Sequence, residues 1–150
     1  VHRLLATNKN TARNFIQAYV LDNRQTVVKS YYYGSKQVNQ QSLTLSAAGE
    51  KSVFEGSNHQ FHDGGYYEIM TLDNDHSLSL LNFVNTHGKT RIRVEGVGDK
   101  PSRNWVYYLN DKEKEALSDT YQLGWLMKDI NRLEQMQRTA HAQIDRYNHK

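Results

Sequence analysis

The sequence predicts an α+β fold: a short N-terminal helix, a curved antiparallel β-meander of six or seven strands closing toward a half-barrel, and a long C-terminal amphipathic helix. Three observations predict it. Between residues 26 and 109, short runs of β-branched and aromatic residues alternate with turn-forming Gly, Asn and Asp. From Asp111 onward that alternation stops and apolar residues recur every three or four positions. The chain has 150 residues and no Cys, a length that sustains one core without metals or disulfides.

The elements follow in order. Asn8, Thr11 and their neighbours offer N-caps, and Ala12, Phe15, Ile16, Tyr19 and Val20 recur at helical spacing, which predicts a helix over residues 8–21. Thr26 to Tyr33 is β-branched and aromatic and reads as the first strand, ending at Gly34. Val38 to Ser46 and Lys51 to Glu55 form a hairpin about Ala47-Ala48-Gly49-Glu50. Residues 56–65, with three glycines, read as a loop, and Tyr66 to Leu72 as the next strand. Asp73-Asn74-Asp75 reads as a turn, and His76 to Val84 as a strand whose alternation slips at Leu81 and Phe83, as a bulge would require. In Lys89 to Glu95, Ile92 and Val94 face inward, while Lys89, Arg91, Arg93 and Glu95 face water. The breaker around Gly96, Gly98 and Pro101 precedes a final strand from Asn104 to Leu109.

The C-terminal segment carries Leu126, Ile130, Leu133, Met136, Ala140, Ile144 and Tyr147 as one apolar stripe. Gly124 is expected to kink the helix or to divide a short leading helix at 112–118 from the long one. The stripe averages close to 3.5 residues per repeat, which suits pairing with a partner helix or a homodimer; docking on the chain's own sheet is the favoured alternative. The organisation expected is one domain over residues 1–150, with 1–110 the helix and meander and 111–150 the helix that packs on the sheet or on a partner.

Composition narrows the function classes. Hydrophobic residues are 37% of the chain and mean hydropathy is −0.82, so 10 Tyr, 4 Phe and 2 Trp must supply much of the apolar area. A net charge of +3 and a pI near 9.1 favour anionic partners only weakly. Lack of Cys excludes disulfides, thiolate zinc sites and cysteine nucleophiles. No apolar run reaches membrane-span length. Without Met at position 1 the chain reads as a processed form or a trimmed chain, with any signal peptide or anchor expected upstream and an extracytoplasmic compartment slightly favoured.

Four constellations could carry function. Tyr31, Tyr33, Tyr67, Trp105 and Tyr107 would line an aromatic sheet surface able to hold a small apolar ligand or another protein. His59, His62 and Asp63 place two imidazoles and a carboxylate within five residues, the donor set of a metal-assisted hydrolase, against the plainer reading of a glycine-flanked solvent loop. Arg91 and Arg93, with tyrosines elsewhere in the sheet, could hold single-stranded nucleic acid, although +3 is less than a dedicated binder carries and such a partner is disfavoured. Glu55, Glu68 and Glu95 lie on strands as an acid and base in search of a pairing. Asp73-Asn74-Asp75 opens like a calcium loop but lacks its glycine and terminal glutamate. Phosphate-cradling glycine loops, dinucleotide fingerprints and nucleophile elbows are missing from the sequence, so no cofactor is expected and an enzyme is the less favoured class.

The runs from Leu43 to Glu50, Val53-Phe54, Gly65 to Ile69 and Leu78-Ser79-Leu80 resemble the hairpin rhythm of lipocalin-like bacterial envelope proteins. That resemblance covers under half of the chain and rests on spacing; the long terminal helix departs from it. It implies a half-barrel and a non-enzymatic binding domain at a bacterial envelope or surface.

Overall fold

The structure is a computed structural model that describes residues 14–149 and the backbone of residues 2–3. Its strands are β1 (His2–Arg3), β2 (Phe15–Val20), β3 (Thr26–Gly34), β4 (Ser42–Ala47), β5 (Glu50–Glu55), β6 (Ser57–His62), β7 (Tyr66–Thr71), β8 (Arg93–Val97) and β9 (Trp105–Tyr108). Helix α1 (Asn74–Thr86) lies between β7 and β8, and α2 (Asp111–Asn148) follows β9. The fold is α+β with two open antiparallel sheets, ordered β1-β2-β3-β7-β6 and β5-β4-β8-β9.

The expected meander is replaced by alternating hairpins. Hairpins β2-β3 and β6-β7 meet along β3-β7 in the first sheet, and hairpins β4-β5 and β8-β9 meet along β4-β8 in the second. The chain thus changes sheet after each hairpin. Between β5 and β6 the change takes a single residue, Gly56, so the free edges of the two sheets run into one another at a corner. The sheets stay open and do not close into a barrel.

Four elements differ from expectation, the simplest being the strand expected at residues 89–95, which begins at Arg93 and continues through the expected breaker Gly96 to Val97. Residues 15–20 of the expected 8–21 helix form β2; residues 8–13 lie outside the described residues. Apolar residues at 15, 16, 19 and 20 suit either period, and a run this short is decided by its neighbours. Here β3 supplies a full ladder from Phe15↔Tyr31 to Val20↔Thr26, and Ile16, Ala18 and Val20 enter the core. The expected loop at 56–65 contains β6, which β7 templates from Ser57↔Thr71 to His62↔Tyr66, leaving Asp63-Gly64-Gly65 as the turn.

The expected turn and strand at 73–84 are the start and body of α1. Asp73 is its N-cap, with extended backbone and a carboxylate accepting the His76 N–H at 2.8 Å. What reads as a slipped strand is helical periodicity: Ser77, Leu78, Leu80, Leu81, Phe83 and Val84 are all buried. The Ser77 hydroxyl accepts the Val28 N–H at 2.8 Å and donates to Leu72 O at 3.1 Å, which ties α1 to the end of the β3-β7 ladder.

The core draws on both sheets and both helices. Ile16, Val28 and Met70 from the first sheet meet Leu43, Leu45 and Val94 from the second, with Leu80 and Leu81 of α1 and Leu117 of α2. These side chains are at most 1% exposed, and each is worth about 1.5 to 3 kcal/mol of transfer free energy.

Helix α2 runs unbroken for 38 residues, about 57 Å, with no division at Gly124. Its start is a capping box: Asn110 Oδ1 accepts the Glu113 N–H at 2.8 Å, and Glu113 Oε1 accepts the Asn110 N–H at 3.1 Å. Gly124 is buried because the helix crosses closely here; a Cβ would lie 2.5 Å from Thr26 Oγ1 and 2.8 Å from Leu78 Cδ2. The first half of α2 packs through Leu117, Thr120 and Gly124. The second half does not dock on the sheet, contrary to the favoured expectation, since Leu126, Leu133, Met136, Ile144 and Tyr147 are each more than half exposed. No helix among the described residues is long and apolar enough to cross a membrane.

Candidate functional site

Strand register builds an aromatic surface on the outer face of the first sheet. Odd-numbered residues of β2, β3, β6 and β7 share that face because side chains alternate along a strand. The register then aligns one row, Phe61, Tyr67 and Tyr33, and beneath it a second, His59, Ile69, Tyr31 and Phe15. Tyr33 and Tyr67 rings sit 4.4 Å apart, and Phe15 stacks on Tyr31 at 4.6 Å with planes 13° apart. Tyr19 extends the band, its hydroxyl 2.9 Å from that of Tyr31 and donating to Gln17 Oε1 at 2.5 Å.

Exposure grades across this face. Phe15 is buried and Tyr31 and Tyr33 are half-buried, whereas Tyr67 is 36% and Phe61 55% exposed. The apolar rings therefore become most accessible toward β6, the edge strand, whose outer side carries no strand partner among the described residues.

Of the five aromatic residues expected to line one surface, Tyr31, Tyr33 and Tyr67 come together here and the other two do not. Trp105 and Tyr107 belong to β9 in the second sheet and point into the core, their rings stacked at 5.8 Å. The Tyr107 hydroxyl accepts the Ile16 N–H at 2.8 Å and so joins the two sheets.

His59 and His62 are separated by three positions on β6, and an odd separation on a strand puts their side chains on opposite faces. His59 joins the aromatic face, while the His62 ring lies 4.7 Å from that of Tyr66, and Asp63 begins the turn. No group of three or more His, Asp or Glu among the described residues could hold a metal ion. The stretch expected as a loop is a strand through His62, so it does not fold these three donors together locally.

Arg93 opens β8 of the second sheet and Arg91 precedes it by two residues, both apart from the tyrosine band. Arg91 stacks 3.7 Å from the centroid of Tyr108, and Arg93 pairs with Glu95 at 3.2 Å. Glu95 also accepts from Asn104 Nδ2 at 3.3 Å. Both guanidinium groups are thus engaged within the protein.

Glu55, Glu68 and Glu95 do not converge: Glu55 is exposed at the sheet corner, Glu95 faces outward, and Glu68 is buried at 1% exposure. Glu68 anchors the crossover between β3 and β4. Its carboxylate accepts the backbone N–H groups of Val38 at 2.6 Å, Asn39 at 3.1 Å and Gln40 at 2.8 Å, and Asn58 Nδ2 at 3.0 Å. Asn39 has φ of 56°, and this left-handed residue curls three successive amides toward one anion. Burial first, and the Glu68 charge second, push the Tyr32 phenol above its ordinary pKa; its hydroxyl donates to Lys36 O at 2.7 Å. Sequence reasoning did not find this loop anchor. The one signal is the parity of β7: Glu68 sits in phase with Met70, on the inward face.

The arrangement is a wall of rings beside a strand edge that carries no strand partner among the described residues. No family model, curated protein or solved structure matches this chain.

Proposed function

We propose that this chain is a non-enzymatic binding domain that engages another protein through the outer face of its first sheet, at the β6 edge. The observation that carries this reading is the row Phe61, Tyr67 and Tyr33, whose rings grow more exposed toward β6, the edge strand, whose outer side has no strand partner among the described residues. Rings that present large apolar area at small entropic cost are what protein interfaces use as anchors. An adjacent strand edge adds main-chain donors and acceptors for an extended segment. The partner is a protein rather than a small apolar ligand, because the space between the sheets is occupied by Ile16, Val28, Leu43, Leu45 and Met70.

The test compares the intact chain with a Phe61→Ala/Tyr67→Ala variant. Proteins cross-linked to the wild type are identified, purified and titrated against both forms by calorimetry. The reading expects at least one direct binder whose affinity falls about tenfold or more in the variant. If every direct binder is retained with unchanged affinity, the sheet face is not the binding surface.

A further inference from the structure

Beyond the sheet face, the projecting half of α2 carries a second surface. The last body contact on this helix among the described residues is made by Arg24, whose guanidinium reaches Asn131 at 3.0 Å and Glu134 at 2.8 Å. From Gln135 to His149 every residue is exposed. Successive helical residues turn by about 100°, so Leu126, Leu133, Ala140 and Ile144 lie on the side of the helix opposite Gly124 and Asn131. The apolar stripe therefore points away from the body that holds the helix.

The seam has a strict repeat once it is followed around the continuous helix. Leu126, Ile130, Leu133, Gln137, Ala140, Ile144 and Tyr147 are spaced 4, 3, 4, 3, 4 and 3, which is the d and a positions of a heptad over three repeats. Met136, which fits the stripe by hydropathy, falls at g beside the seam. Ile130 and Ile144 occupy a, and Leu126 and Leu133 occupy d, the distribution that favours two parallel strands. Gln137 is the single polar a residue, and such a residue fixes register by hydrogen-bonding its own counterpart in the other helix.

We infer that the protein forms a parallel, in-register homodimer through a two-stranded coiled coil of residues 126–147. A second copy is the occupant because each feature of the seam is satisfied by the same sequence: apolar layers meet identical layers and Gln137 meets Gln137. The size is also sufficient. The seam is about 33 Å long on a helix about 10 Å across, and pairing it buries on the order of 600 Å² per chain, near the lower bound of specific interfaces. A dimer of that size is reversible, so it dissociates on dilution.

Sedimentation equilibrium of the intact chain, over loading concentrations from about 1 to 300 μM, tests this. The inference expects the average mass to rise from monomer toward dimer across that range. Leu133→Asp should leave a monomer with unchanged near-ultraviolet circular dichroism, Arg138→Ala, off the seam at b, should dimerise as wild type does, and Gln137→Ile should tighten the dimer about tenfold or more. The chain has no native Cys, so Tyr147→Cys reports orientation: mild oxidation should link two copies in parallel register. A wild type that stays monomeric at 300 μM overturns the inference. So does a dimer that survives Leu133→Asp, or one in which Tyr147→Cys does not cross-link. None of these outcomes depends on the sheet face, so the two surfaces stand or fall separately.

Discussion

The Trp105 indole lies across Gly96 of the neighbouring strand, so close that a Cβ on Gly96 would sit 2.1 Å from the indole Nε1 and Cε2. The glycine is the floor on which a nearly buried Trp is laid between the sheets. Gly96→Ala must push the ring into Leu43 and its neighbours or displace β9. Overpacking of this kind costs about 2 to 3 kcal/mol. Urea unfolding should show that loss, with a matching change in tryptophan fluorescence.

Glu68 holds the crossover loop, and its removal should loosen that loop before it loosens the sheets. Glu68→Gln keeps the shape but replaces one acceptor oxygen with an NH2 group that faces backbone N–H donors. The expected destabilisation is about 2 to 3 kcal/mol, the usual cost of a buried donor left without its charged acceptor. Amide hydrogen exchange checks the location: Val38 and Gln40 should lose more protection than residues in β8.

Asp73 makes α1 sensitive to acid. Its pKa is lowered, first by the His76 backbone N–H and then by the His76 side chain, whose Nδ1 is 2.8 Å away. A depressed carboxylate contributes stability that is present above its ordinary value of 3.8 and is lost as pH falls through the lowered folded value. Asp73→Asn preserves the cap oxygen, so it should change stability little at neutral pH and remove this part of the acid dependence. Asp73→Ala should cost about 1 kcal/mol at neutral pH. Thermal unfolding of the three forms between pH 2 and 7 distinguishes these outcomes.

The β4-β5 hairpin carries a correctable defect. Its two turn residues, Ala48 and Gly49, both have positive φ, at 49° and 80°. That is the backbone of a two-residue turn that prefers Asn-Gly, since Asn tolerates the left-handed region better than Ala. Ala48 is exposed and makes no core contact. Ala48→Asn should raise stability by about 0.5 to 1 kcal/mol, read as a higher urea midpoint with unchanged slope.

Gly124 separates local preference from packing. In an exposed helix, Gly→Ala would gain about 1 kcal/mol. Here the new Cβ meets Thr26 and Leu78, so Gly124→Ala should instead destabilise by about 1 to 2 kcal/mol. Leu78→Ala, by making room, should recover part of that loss in a double-mutant cycle.

The sequence by itself determined those elements whose pattern is local and unambiguous. Thr26 to Tyr33 is too rich in β-branched and aromatic residues to settle as a helix, and Ala48-Gly49 marks a hairpin; both stand where expected, whereas the strand expected at residues 89–95 begins only at Arg93 and runs on through Gly96 to Val97. The C-terminal helix follows from spacing sustained over about three heptads. Tertiary structure decided the rest. Phe15–Val20 and Ser57–His62 are strands because β3 and β7 offer them complete ladders, a contact no local window contains. Asp73 caps a helix because Leu80, Leu81 and Val84 find a core on one side. The aromatic set was half legible for the same reason: Tyr31 and Tyr33 share a face by strand parity, but only the pairing of β3 with β7 brings Tyr67 beside them and leaves Trp105 and Tyr107 in the other sheet. Periodicity states which residues share a face; what that face meets depends on distant chain, and in α2 it is the burial of Gly124 on one side that turns the apolar stripe outward.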